Sequence, residues 1–242
     1  MILAIDAGNT RVKWGLHDGA QWLERGAVVT AECGRLDDAL PRVSGIERAI
    51  IANVAGQTVA HALGEMLAAR HIEARWARSE AERCGVRSGY AEPAQLGVDR
   101  WAALIGARHL YAGPCVVVNA GTTMTVDALS SESIFLGGFI VAGYSMMREA
   151  LARHTAQLEL CEGRFSFFPD NTADAIASGA LNALAGAVER MRRYMVETGE
   201  DDPLILVSGG NAAVLAEGLE GAPRIVENLV LEGLVRMGAS DV

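Results

Sequence analysis

Short apolar runs broken by glycine, asparagine and aspartate divide this chain into strands and amphipathic helices. Met1–Ile5 is uninterrupted apolar sequence, and Arg11–Leu16 and Gly26–Thr30 read as the next strands, with Asp18-Gly19 signalling a turn between those two. Leu36–Val43 is predicted as a short helix and Arg48–Asn53 as a buried strand. Val59, Leu63, Met66 and Leu67 recur at helical spacing, which predicts a helix over Thr58–Arg70. Ile72–Ala77 reads as a strand, and Asp99–Tyr111 as a helix ended by Gly113-Pro114.

The theme then repeats. Val116–Ala120, Thr123–Leu129 and Ile134–Ile140 are predicted strands ahead of Gly143. Ser145–Leu158 and Thr172–Glu197 read as helices, the second opened by a capping residue. Leu204–Ser208 is a buried strand running into Gly209-Gly210, followed by a helix over Ala212–Leu219, a short strand over Arg224–Glu227 and a closing helix over Leu229–Met237. Alternating strands and helices predict an α/β fold. With Gly113-Pro114 as the boundary, the expected lobes are residues 1–113 and 114–242, packed closely around a cleft.

Composition narrows the classes. The chain has 242 residues, half of them hydrophobic, which suffices for a large core and argues against disorder. A net charge of −9 argues against a broad electrostatic grip on nucleic acid or on an anionic membrane. Cys33, Cys84, Cys115 and Cys161 are scattered without a metal-ligand spacing and read as reduced, mostly buried thiols of a cytoplasmic protein. The first residues lack a basic region followed by an apolar signal segment, and no stretch reaches the length of a membrane span. His17, His61, His71, His109 and His154 form no ligand pair.

Chemistry concentrates in two similar turns. Asp6-Ala7-Gly8-Asn9-Thr10 follows the first strand, and Asn119-Ala-Gly-Thr-Thr123 follows Cys115–Val118. Glycine lets a backbone turn tightly or approach a ligand, and the flanking side chains offer oxygens and amides to a phosphate or a hydrated cation. A plain hairpin turn explains either one alone; the pair points to a duplicated fold holding a polyphosphate. Asp6 suits a hydrated Mg²⁺. Lys13, the only lysine, either reaches a phosphate as a point charge or is an ordinary exposed strand residue.

Two further segments stand out. Leu96-Gly97-Val98-Asp99-Arg100 puts a carboxylate at a helix start beside an arginine, which is either a cap with a surface arginine or a general base with an anion-binding partner. Tyr90 precedes it in a loop that can line the same pocket. Ser208-Gly209-Gly210-Asn211 can pass flat against a planar base or can simply make a tight strand-to-helix turn. Neither the P-loop pattern nor the Rossmann fingerprint occurs.

Taken in order, Asp6–Thr10, Leu96–Arg100, Ala120–Asp127, Gly137-Gly138 and Asn171-Thr172 make the whole chain resemble the type III pantothenate kinases. That family lies within the superfamily of acetate and sugar kinases, heat-shock ATPases and actin. The resemblance implies two similar actin-like (ribonuclease H-like) lobes around a nucleotide cleft, and ATP-dependent phosphorylation of pantothenate, the first step of coenzyme A synthesis. It implies a first phosphate loop at Asp6, Ala7, Gly8, Asn9, Thr10, Arg11, Val12 and Lys13, with Thr122 in the second; Gly209 and Gly210 are expected as further ATP contacts from their own glycine pair. Tyr90, Gly97, Val98, Asp99 and Arg100 would contact pantothenate, with Asp99 as general base, and Thr172 would complete a neighbouring subunit's pocket in a homodimer. Mg²⁺ with ATP and a monovalent cation, K⁺ or NH₄⁺, are the implied ions.

The chain departs from the family pattern twice. Asn119 replaces the aspartate that helps hold the monovalent cation, keeping one oxygen ligand and losing the charge. Ile140-Val-Ala-Gly143 lacks the proline of the family's interface segment, which frees a backbone torsion there. Two other readings share the scaffold: a regulatory accessory protein that binds a transcription factor, and a kinase for another small molecule.

Overall fold

The computed structural model describes residues 1–41, 43, 45–155 and 161–239. In chain order the elements are β1 (Ile2–Ala7), β2 (Arg11–His17), β3 (Trp22–Val29), α1 (Leu36–Ala39), β4 (Arg48–Asn53), α2 (Gln57–Ala69), β5 (Glu73–Trp76), β6 (Glu82–Arg83), β7 (Val86–Ser88) and α3 (Val98–Leu110). They continue with β8 (Cys115–Ala120), β9 (Thr123–Leu129), β10 (Ile134–Ala142), α4 (Tyr144–His154), α5 (Thr172–Glu197), β11 (Leu204–Ser208), α6 (Ala212–Glu217), β12 (Arg224–Ile225) and α7 (Leu229–Ala239).

The chain forms two compact units, Met1–Tyr111 joined by the C-terminal helix α7, and Ala112–Asn228. The expected assignment of the chain's end to the second lobe is thereby corrected. The reason is steric fit. Gly106 of α3 and Gly233 of α7 lack side chains where the two helices cross, and a Cβ on Gly233 would stand 1.8 Å from the Ala102 carbonyl oxygen. Leu229, Val230, Leu231, Leu234, Val235 and Met237 are all buried, so α7 is a core helix.

In the first unit the sheet runs β3-β2-β1-β4-β5. β1 pairs antiparallel with β2 and parallel with β4. Leu3, Ile5 and Ala7 share one core with Val59, Leu63 and Leu67 of α2. Side chains alternate across a strand, so Ala4 and Asp6 take the opposite face. In the second unit the corresponding order is β12-β11-β8-β9-β10. β8 is antiparallel to β9 and parallel to β11, as β1 is to β2 and β4. The duplication seen in the two turns is therefore a duplication of topology. Leu181, Leu184, Ala185 and Val188 of α5 pack on Val116, Val118, Met124 and Val126 of that sheet.

Several boundaries differ from expectation. β1 runs on through Asp6 and Ala7 because both stay in register with β2, Asp6 opposite Lys13. α1 stops at Ala39, after a 3-10 segment over Thr30–Arg35 that apolar spacing did not announce; Arg42, within the expected helix, lies outside the described residues. α4 ends at His154, and the expected continuation through 156–158 also lies outside them. The hairpin β6–β7 was not anticipated; it is two and three residues long, too short to carry a period. Among the thiols only Cys115 is buried, while Cys84 and Cys161 are exposed, and none of the four is in a disulfide. No helix among the described residues is long and apolar enough to cross a membrane.

Candidate active site

The first turn leaves β1 at the centre of its sheet. Gly8 N–H donates to the Arg11 carbonyl at 3.1 Å and closes a tight hairpin. Asn9, Thr10 and Arg11 are exposed at its tip, while Val12 is buried and Lys13 half-buried. Behind the tip, Thr30 donates from Oγ1 to the Gly8 carbonyl at 2.7 Å. Its backbone N–H donates to the Thr10 carbonyl at 3.0 Å.

Asp6 is 6% exposed. Burial pushes its carboxyl up from 3.8 to about 6; Lys13 across the strand pair opposes the rise and the charge of Asp99 adds to it. Asp6 and Asp99 belong to the same unit. Among the described residues no group of three or more His, Cys, Asp or Glu is placed to hold a metal. Mg²⁺ keeps several waters and takes one or two carboxylates besides phosphate oxygens. The buried, poorly solvated Asp6 carboxylate is a group whose charge such a cation would stabilise.

α3 brings the second carboxylate. Gly97 precedes the helix without a side-chain cap, and a Cβ there would stand 2.7 Å from Asp99 Oδ1. Asp99 Oδ1 accepts the Arg100 N–H at 2.9 Å. Ser79 Oγ donates to the Leu96 carbonyl at 2.8 Å and ties down the approach to the helix. Of the two readings open for this segment, the surface arginine is excluded: Arg100 is 5% exposed. Its guanidinium donates to the Tyr90 hydroxyl at 3.2 Å and lies 5.9 Å from that ring's centre. Desolvated arginine beside tyrosine is well suited to a small carboxylate or phosphate.

The second turn belongs to the other unit. Asn119 and Ala120 end β8, and Thr122 is exposed ahead of β9. Gly209 has φ +101 and lies so near that a Cβ would meet the Ala120 carbonyl at 2.6 Å and Asn119 Oδ1 at 2.8 Å. Gly209 is thus fixed by its close approach to the turn, whereas a Cβ on Gly210 would meet nothing within 4 Å, leaving an open backbone surface. Asn211 N–H donates to the Ala120 carbonyl at 3.0 Å, and Gly143 N–H to that of Thr122 at 2.9 Å. An apolar pocket adjoins the turn, lined by Met124, Tyr144, Leu184, Val214 and Leu215. Thr172 stands exposed in the first turn of α5, which Asn171 caps by accepting the Asp174 N–H at 2.9 Å.

Sequence reasoning passed over Thr30 and Ser79, and it named Gly143 and Asn211 only as ends of the interface segment and of the glycine turn, without their bonds to the second turn. Each acts on backbone groups of another segment, and only the strand pairing that sets Arg11 opposite Val29 hints at one of them, Thr30.

Five strands in matching order in each unit, with a glycine turn after the first strand of each set, define an actin-like fold. Solved structures agree on the fold. One from Campylobacter jejuni, described as a candidate Baf family transcriptional activator, superposes with a TM-score of 0.64 at 19% identity over 99% of this chain and 98% of that one. A candidate 2-dehydro-3-deoxygalactonokinase from Sinorhizobium meliloti gives 0.62 at 17% identity over 100% and 99%. The model of the type III pantothenate kinase family matches residues 2–194. A type III pantothenate kinase of Aromatoleum aromaticum is 49% identical over 100% of this chain and 99% of its own length. One from Nitrosospira multiformis is 44% identical over 97% and 90%. The chain belongs to the type III pantothenate kinase family.

Proposed function

We propose that the protein transfers the γ-phosphoryl group of ATP to the primary hydroxyl of pantothenate, giving 4′-phosphopantothenate and ADP. The observation that carries this reading is buried Arg100, bonded to the Tyr90 hydroxyl, next to Asp99 in the first turn of α3. The same compact unit holds the turn suited to a phosphate. Asp99 accepts the hydroxyl proton as the oxygen bonds to phosphorus and the bond to the ADP oxygen breaks. Arg100 and Tyr90 hold the pantothenate carboxylate, with Gly97 and Val98 shaping the wall. The amides of Gly8–Thr10, with Arg11 and Lys13, face the phosphates, and Asp6 takes Mg²⁺ through water. Mg²⁺, when bound, offsets charge on the transferred group.

Thr122 and the open backbone at Gly209-Gly210 are assigned to ATP binding. A monovalent cation is assigned to Asn119, whose amide supplies oxygen without charge. We also read the protein as a cytoplasmic homodimer in which Thr172 reaches the partner's pocket. Four cysteines outside any disulfide support a reducing compartment. Phe167 and Phe168, 86% and 92% exposed just before α5, support a covered apolar face.

The test is ADP release that requires pantothenate, measured with K⁺ omitted and restored. Asp99→Asn is expected to lower kcat by about 10²–10⁴-fold with ATP affinity retained. Full activity in that variant, or no pantothenate dependence in the parent protein, sinks the assignment.

A further inference from the structure

We infer that Thr30 is a positioning residue of the first phosphate turn, locking one peptide plane so that the Asn9 N–H faces a bound phosphate. The inference rests on the proposed reading of that turn as the phosphate site. Its starting point is the fate of the turn's carbonyls. Ala7 C=O accepts from Val54 N–H at 3.0 Å, and Thr10 C=O from Thr30 N–H at 3.0 Å. Gly8 C=O accepts from the Thr30 hydroxyl at 2.7 Å, and this is the one bond of the three made by a side chain.

A peptide is planar and trans, so its N–H points opposite to its C=O. Holding the Gly8 carbonyl against Thr30 therefore aims the Asn9 N–H away from Thr30, out of the turn. The same bond keeps a carbonyl oxygen, which repels an anion, turned inward. The lock matters here because residue 8 is glycine: without a Cβ, the Gly8–Asn9 plane can rotate at little steric cost. A flipped plane would present oxygen where the phosphate needs a donor. Arrays of aimed backbone N–H groups are how proteins bind phosphate without a large positive charge, and this chain carries −9 overall.

The experiment compares Thr30→Val, which keeps shape and backbone bond but loses the hydroxyl, with Thr30→Ser, which keeps the hydroxyl. Loss of one such hydrogen bond corresponds to roughly a two- to tenfold change. Thr30→Val is expected to raise KM for ATP, and Kd for a non-hydrolysable ATP analogue measured by calorimetry, by about five- to tenfold. KM for pantothenate should stay within about twofold, the melting temperature should hold, and Thr30→Ser should bind the analogue as the parent does. Unchanged analogue affinity in Thr30→Val overturns the inference, as does equal loss in both variants or a parallel rise in both KM values. Thr30→Ala replaces the valine variant should that fail to fold. Analogue binding reports on Thr30 even if the parent protein makes no pantothenate-dependent ADP, an outcome that overturns the proposed substrate instead.

Discussion

Asp6 sits in a strand whose six residues are all buried, and ionising a carboxyl there forfeits most of its hydration. Its pKa is raised from 3.8 to about 6. In that interval the folded chain holds a proton that the unfolded chain has released, so stability is lost as pH rises from about 4 through about 6. Above that window the full cost stands, about 3 kcal/mol for a shift of this size. Asp6→Asn should therefore raise the melting temperature at pH 8 by several degrees, the gain shrinking towards pH 4, while Mg·ATP turnover is lost. Thermal scans of both proteins across pH check the first part; a gain that is independent of pH contradicts it. In the parent, kcat/KM should fall below about pH 6 as Asp6 takes its proton. Asp6 and Asp99 were legible in sequence because their motifs place acids beside glycines. Thr30 was not, since its partner is a carbonyl, and a backbone carbonyl has no sequence signature.

Elements carry these residues to their places through close contacts that glycine permits. α3 presents Asp99 and Arg100 in its first turn, and the far half of α3 is set by its crossing with α7. Replacing Gly233 by Ala would drive a methyl into the Ala102 carbonyl. The expected cost is about 3 kcal/mol, at the upper end for overpacking, or roughly 6–12 °C in melting temperature for a chain of this size. A calorimetric scan decides it, and an unchanged midpoint would mean that the helices separate freely. Thr123–Leu129, Thr172–Glu197 and Leu204–Ser208 stand as their apolar periods predict. What the periods missed was set by tertiary contact: the strand continuing through Asp6, the short hairpin β6–β7, and Gly209 pressed against Asn119. A glycine pair after a strand reads equally as turn or as binding surface until its neighbour is known.

At the scale of the molecule, the repeated strand order explains why two short motifs announced the fold so well. Each turn follows the first strand of its unit, where the topology returns the chain to the sheet's middle. The boundary was harder, because the last helix pairs with a segment far away in sequence. Exposed Leu136, Ile140, Met146 and Leu151 add to Phe167 and Phe168 as apolar surface of the second unit. Paired replacement Phe167→Asp and Phe168→Asp should shift the protein from dimer to monomer in sedimentation, with the parent sedimenting as a dimer. A parent that sediments as a monomer removes the proposed role of Thr172 in a partner's pocket.

The union of α7 with the first unit also orders events during synthesis. The ribosome releases Met1–Tyr111 early, yet the groove on α3 that Gly106 opens stays empty until residues beyond 228 emerge. Residues 112–228, contiguous in sequence, have all their own strands by then and can fold first. The unit made first is thus completed later, and Asp99 at the start of α3 waits on the synthesis of α7 for its final support.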